Sequence, residues 1–197
     1  MKKLPLNEIF RKVLHLFSSV IPLGYYFFPQ EKKIILSTLF ILIIFAILIE
    51  FFRLKNSWVK IFFSKHLQFM MRSQERNGLV TGATWLLIGS FITISFFPIE
   101  YAIPALLFLT IGDTFAAIVG LRFPLIQIGQ KTLSGSIAGF TISLIFVILT
   151  IKDVAPNILI LGSFSAMIAE CAPIPLNDNL TIPIVSGFVM FLGAQII

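Results

Sequence analysis

Apolar residues run along this chain in long blocks separated by short polar stretches. The strict alternation of a half-buried strand is absent, and so is the one-sided stripe of a surface helix. A helix crossing about 30 Å of hydrocarbon needs about 20 predominantly apolar residues. Windows of roughly that length fall at 9–28, 34–52, 79–97, 99–121, 135–151, 155–175 and 180–197. They predict an all-α, polytopic transmembrane helical bundle of about seven spans, forming a single integral membrane domain over 1–197. No repeat, low-complexity tract or second domain breaks it.

The stretch 56–74 obeys another rule. Trp58, Val59, Ile61, Phe62, Phe63, Leu67, Phe69, Met70 and Met71 are interspersed with Lys60, Lys65, His66 and Arg72. This pattern predicts a basic amphipathic segment lying in the interface, with aromatic anchors and anionic lipid headgroups as its partners.

Composition excludes the soluble alternative. Hydrophobic residues make up 57% of the chain and charged residues 12%, and mean hydropathy is +0.98, too apolar for a surface in water. The net charge of +6 does not indicate nucleic acid, because the basic residues sit in short juxtamembrane stretches. Cys171 is the single cysteine, so no intramolecular disulfide forms and any metal must be held by oxygen. Arg11, Lys12 and His15 interrupt the N-terminal apolar stretch, which therefore does not read as a cleaved signal.

Lys2, Lys3, Arg11, Lys12, Arg53, Lys55, Lys60, Lys65, Arg72, Arg76, Arg122 and Lys131 fall on one side of the expected bundle. Lys32, Lys33 and Lys152 fall on the other. The positive-inside rule then places the N-terminus in the cytoplasm and the C-terminus outside.

Ionisable residues inside spans are costly and line polar cavities or pair with one another. Glu8, Arg11, Lys12 and His15 open the first span. Snorkelling to the headgroups accounts for Lys12 but less well for His15, one turn deeper. Glu50 and Arg53 are spaced as an interfacial salt bridge, and Gly82, Thr84 and Gly89 as a packing surface. Asp113, in Ile111-Gly112-Asp113-Thr114, has no basic neighbour in its own span. Its partner is either a lysine, making a structural pair, or a divalent cation with a phosphate, making a catalytic one.

Two further clusters lie downstream. Gly129-Gln130-Lys131-Thr132-Leu133-Ser134-Gly135-Ser136 is a glycine- and hydroxyl-rich connection into a helix, where backbone amides and a lysine suit a phosphate, although its spacing is not that of a Walker A loop. Glu170 and Asn177-Asp178-Asn179 lie on the same expected face. A capped Asx turn accounts for one residue of that triplet. Two or three carboxylates and an amide are the oxygen ligands that Mg²⁺ bridging phosphates requires.

These motifs, in order, resemble the polyprenol kinase family of CTP-dependent membrane lipid kinases, which includes dolichol, phytol and farnesol kinases and the CTP-dependent diacylglycerol kinases. The resemblance rests on Glu8-x-x-Arg11-Lys12-x-x-His15, Gly112-Asp113-Thr114-x-Ala116-Ala117-x-x-Gly120, Lys131 through Ser136, and Glu170 with Asp178-Asn179-Leu180-Thr181-x-Pro183. Ser134 stands where the family often has Glu, and Asn177 where it often has the first Asp of a pair.

The resemblance implies transfer of the γ-phosphoryl group of CTP, with Mg²⁺, to the hydroxyl of a membrane isoprenoid alcohol at the cytoplasmic face. Asp113, Lys131, His15 and Glu170 would be the catalytic set. Lys131, Thr132, Ser134, Gly135, Ser136, Asn179 and Arg11 would bind nucleotide, and Asp113, Asp178 and Glu170 the metal. The identity of the base stays open among Asp113, His15 and Glu170. Trp58, Phe62, Phe69 and Trp85 are either interfacial anchors or flank the lipid's route. Diacylglycerol as acceptor, CDP-lipid formation, and a small transporter with a broken helix at Gly112-Asp113 are the competing readings. Oligomeric state is not encoded in any of these features.

Overall fold

The computed structural model describes residues 5–67 and 70–196. Lys2 and Lys3, used for orientation, and Phe69, a candidate interfacial aromatic, lie outside the described residues.

Helices account for most of the described chain: α1 (Leu6–Phe17), α2 (Val20–Phe27), α3 (Lys32–Lys55), α4 (Ser57–His66), α5 (Ser73–Arg76), α6 (Gly82–Phe96), α7 (Ile99–Leu107), α8 (Thr114–Arg122), α9 (Leu133–Thr150), α10 (Pro156–Cys171) and α11 (Asp178–Ile196). A π-helical turn, Phe108–Asp113, joins α7 to α8. Two short antiparallel strands, β1 (Gln127–Ile128) and β2 (Lys131–Thr132), precede α9.

Among the described residues, four helical stretches are long and apolar enough to cross a membrane: Pro29–Lys55, Ile99–Arg122, Leu133–Thr150 and Asp178–Ile196. The expected third and sixth spans correspond to the shorter apolar helices Gly82–Phe96 and Pro156–Cys171. The expected first span is broken. Ser18 and Ser19 separate α1 from α2, with the Ser18 hydroxyl donating to the His15 carbonyl and Ser19 Oγ to Thr110 Oγ1 at 2.8 Å. Serine hydroxyls that bond locally compete with the helical ladder, and hydropathy alone does not register that competition. The described part of 56–74 is likewise not one helix. Asn56 caps α4 by accepting from the amides of Trp58 and Val59, and α4 ends at His66, ahead of the separate short helix α5.

Ile99–Arg122 is the central helix, with 78% of its apolar window buried against 17% for Pro29–Lys55. Around it pack α2, α6, α9, α10 and α11, while α3 lies outside against α6 and α4. The core is apolar: Ile94, Ala102, Leu107, Phe108, Leu109, Leu159, Ile182 and Met190 are fully enclosed. Small residues bring the backbones together. A side chain at Gly139 would meet the Gly112 carbonyl at 2.7 Å, so only glycine lets α9 lie against the π turn that carries Asp113. At Gly89 the obstacle would be the Asn179 carbonyl, so the packing reading of Gly89 corresponds to a direct α6–α11 approach.

Glu50 and Arg53 form the expected salt bridge, and it is buried within a larger knot. Arg53 Nε donates to Glu50 Oε2 at 2.8 Å, Nη1 to the Glu75 carbonyl and Nη2 to the Leu79 carbonyl. Glu50 Oε1 accepts from the Thr81 amide, and Glu75 Oε1 from the Gly82 amide, both at 2.9 Å. Together these bonds fasten the segment after α4 to the end of α3 and the start of α6.

Candidate active site

The ends of α8 and α10, the starts of α6, α9 and α11, and the β1–β2 hairpin meet at one end of the bundle. Lys32, Lys33 and Lys152 sit at elements of the opposite end. Asp113 is the last residue of the π turn, immediately before the first residue of α8. A π turn inserts an extra residue and rotates the helix beyond it, and such turns recur at functional sites. Pro104, inside α7, removes one helical donor just upstream.

The two oxygens of Asp113 face different neighbours. Oδ2 accepts from Lys12 Nζ at 2.5 Å and lies 3.3 Å from His15 Nε2, while Oδ1 lies 4.0 Å from Lys131 Nζ. Lys12 also donates to the Asp113 carbonyl, and His15 Nε2 lies 3.2 Å from the Leu109 carbonyl oxygen. Lys12 is only 5% exposed, which corrects the snorkelling expectation: the side chain points inward to the aspartate. Sequence reasoning missed it because an N-terminal lysine and an inward lysine look alike. The available signal was its helical face, shared with Glu8 and His15.

On the far side of Asp113, Lys131 Nζ also donates to Glu170 Oε1 at 2.6 Å and Asp178 Oδ2 at 3.1 Å. Burial alone would lower this ammonium's pKa. The carboxylates of Asp113, Glu170 and Asp178 outweigh burial and hold it above the ordinary lysine value. The three carboxylates expected to bind metal are therefore gathered around a lysine. Among the described residues no group of three or more His, Cys, Asp and Glu side chains is arranged to hold a metal ion.

The hairpin and the start of α9 place the remaining motif residues. Gly129 takes a left-handed φ of 59°, which turns the chain between the strands and delivers Lys131. Thr132 caps α9, its hydroxyl accepting from the Gly135 amide at 3.2 Å, and the Leu133 amide donates to the Ile126 carbonyl. These two amides, expected to face phosphate, are engaged within the protein. Ser134 Oγ donates to the Phe123 carbonyl and so ties the loop before β1. Ser136 Oγ donates to the Thr132 carbonyl and lies 3.5 Å from Glu170 Oε2.

The Asn177–Asn179 triplet divides its work. Asn177 Oδ1 accepts from the Asn179 amide as an Asx turn, Asp178 reaches Lys131, and Asn179 Nδ2 donates to the Gly82 carbonyl at 2.7 Å. Arg11 pairs with Glu8 at 2.8 Å. It also lines a cavity of about 430 Å³ to which Lys12, His15, Asp113 and Asn179 contribute. Trp58 and Phe62 lie largely exposed on α4.

The arrangement is a buried carboxylate with Lys12 and His15 on one side and, on the other, Lys131, which is itself paired to Glu170 and Asp178. The first side adjoins the cavity, and the other adjoins the hairpin and two helix ends. Positive charge and a carboxylate held in place are two of the elements that a phosphoryl transfer needs.

No family model matches the chain. An uncharacterised protein of Rickettsia prowazekii is 28% identical over 182 residues, covering 88% of both chains. The CTP-dependent diacylglycerol kinase 1 of Saccharomyces cerevisiae is 28% identical over 143 residues. That match takes in 71% of this chain and 49% of the yeast protein, so the chain spans about half the length of this relative. No solved structure matches. The apolar helices are those of a membrane protein, and the sequence is distantly similar to that of a CTP-dependent diacylglycerol kinase.

Proposed function

We propose that this chain is a CTP-dependent lipid-alcohol kinase of the polyprenol kinase family, transferring the γ-phosphoryl group to a primary hydroxyl carried by an isoprenoid tail. The observation that supports it most is the position of Asp113, between a cavity bounded by apolar side chains and a lysine flanked by Glu170 and Asp178. The acceptor hydroxyl approaches from the Lys12–His15 side and the nucleotide from the Lys131 side. As the hydroxyl oxygen bonds to the γ-phosphorus, the bond from that phosphorus to the β,γ-bridging oxygen breaks. CDP leaves with the electron pair, and the hydroxyl proton passes to Asp113.

Lys131 holds phosphate oxygens by charge, and Lys12 and His15 keep the Asp113 carboxylate in place. Mg²⁺ carried in by the nucleotide would neutralise phosphate charge, and Asp178 and Glu170, which pair with Lys131 in this structure, would be its hard oxygen donors. Ser134 and Gly135 act through the shape of the hairpin and helix start, while Thr132 and Ser136 flank the phosphates. By the charge bias this face is cytoplasmic and the chain is multi-pass, which lets water-soluble CTP meet a lipid hydroxyl at the interface.

The yeast relative's name favours a second reading, in which diacylglycerol is the acceptor. Incubation of the nanodisc-embedded protein with γ-labelled CTP and each lipid alcohol tests both. Label appearing in an isoprenoid phosphate supports the first and label in phosphatidic acid the second. Pyrophosphate release with a cytidylated lipid overturns both.

A further inference from the structure

The cavity beside Asp113 has a large share of apolar wall that the phosphate chemistry does not call for. It is bounded by Leu14 of α1, Ile21 of α2, Phe63 of α4, Met71, and Leu86 and Leu87 of α6, and it ends on Lys12, His15 and Asp113. Its origin lies in the packing. Helix α1 rests on α8 and the π turn, α6 rests on α3, α7 and α11, and the cavity lies between α1 and α6. The buried knot of Glu50, Arg53 and Glu75 fixes the segment that closes it on one side. Leu14 is 53% exposed, so the α1 wall is continuous with the outer apolar surface.

A triphosphate or a nucleobase gains nothing from the apolar part of these walls, because transferring polar groups against it forfeits hydration. A molecule with one polar end and an apolar tail fits both ends of the cavity at once. We propose, resting on the lipid kinase reading, that this cavity is the acceptor's binding site. The alcohol's hydroxyl lies at Asp113 Oδ2, and the first part of its tail runs between α1 and α6. Arg11 and Arg72, which also line the cavity, hold the lipid phosphate once it has formed. Leu14 and Leu87 are specificity-determining walls that touch the tail and take no part in the chemistry.

The test uses the full chain in nanodiscs without nucleotide, and a long-chain primary alcohol bearing a diazirine close to its hydroxyl end. After irradiation, mass spectrometry is expected to find the label on residues of α1, α2 and α6 that line the cavity, with unlabelled alcohol competing it away. Leu87→Trp and, from the opposite wall, Leu14→Trp are each expected to lower cavity labelling about tenfold. Labelling of the outer face of α3 should stay unchanged, which reports that the protein is still folded in the bilayer. Label confined to α3, or cavity labelling indifferent to both tryptophans, overturns the proposal. The readout needs no turnover. Cavity labelling without any phosphoryl transfer rejects the kinase reading and keeps the site, whereas lipid phosphorylation without cavity labelling rejects the site alone.

Discussion

Lys12 and Asp113 form a pair that neither residue can leave cheaply. Removing one partner of a buried ion pair costs about 3–5 kcal/mol, because the remaining charge stays buried. Lys12→Met is expected at the lower end of that range, since His15 and Lys131 still face the carboxylate. The double variant Lys12→Met with Asp113→Asn should recover most of the stability and none of the activity. Thermal unfolding in detergent and label transfer from CTP check the two halves separately. If the double variant regained activity, Asp113 would be structural only.

The Lys131 ammonium has a folded pKa raised above its unfolded one. Its stabilising contribution is therefore complete below the ordinary lysine value of about 10.4 and is lost only as pH climbs through the higher folded value. Competitive acylation across alkaline pH should show Lys131 reacting at higher pH in the folded protein than in the unfolded chain. Equal midpoints would mean that the three carboxylates do not hold it.

Asp113 and Lys131 stand out in the sequence because each interrupts an otherwise apolar or glycine-rich stretch. Lys12 does not, because a terminal lysine with headgroups in reach already has an explanation. Its actual partner is 101 residues away, a separation that no local pattern reports.

At the scale of elements, hydropathy located the apolar helices closely, because lipid demands continuous runs and little else. The break at Ser18–Ser19 and the π turn at Phe108–Asp113 are set by contacts between elements, Ser19 with Thr110 and Gly139 with Gly112, so apolar windows pass over them. The hairpin was hidden for a related reason: Ser134 and Gly129 read as a phosphate loop, yet they mainly shape the turn that delivers Lys131. The Arg53 knot belongs to this scale too. Arg53→Met should free the segment between α4 and α6 and leave Glu50 buried without its partner, at a cost of about 3 kcal/mol or more. Limited proteolysis should then cut around Asn77 and Gly78 well before wild type is cut there. Unchanged cleavage would mean that the segment is held by something other than the knot.

For the whole molecule, the clustering of charge at one end gives a directional expectation. In a Cys171→Ser background, Lys152→Cys should react with a membrane-impermeant maleimide on intact cells, and Gln130→Cys only after permeabilisation. The reverse pattern would turn the proposed site to the outside.

The shorter helices give a way to test whether the membrane itself influences the proposed reaction. At 15 and 16 residues, α6 and α10 rise about 22 and 24 Å, several ångströms less than the hydrocarbon they adjoin. A bilayer meets such a deficit by thinning locally, at a fraction of a kcal/mol per ångström. Both helices have an end at the Asp113 face, and thinning at that end would shorten the distance from water to the proposed site. Bilayer thickness would then control turnover: reconstitution in lipids of increasing acyl length should slow phosphorylation as thinning grows costlier, with the protein's chemistry unchanged.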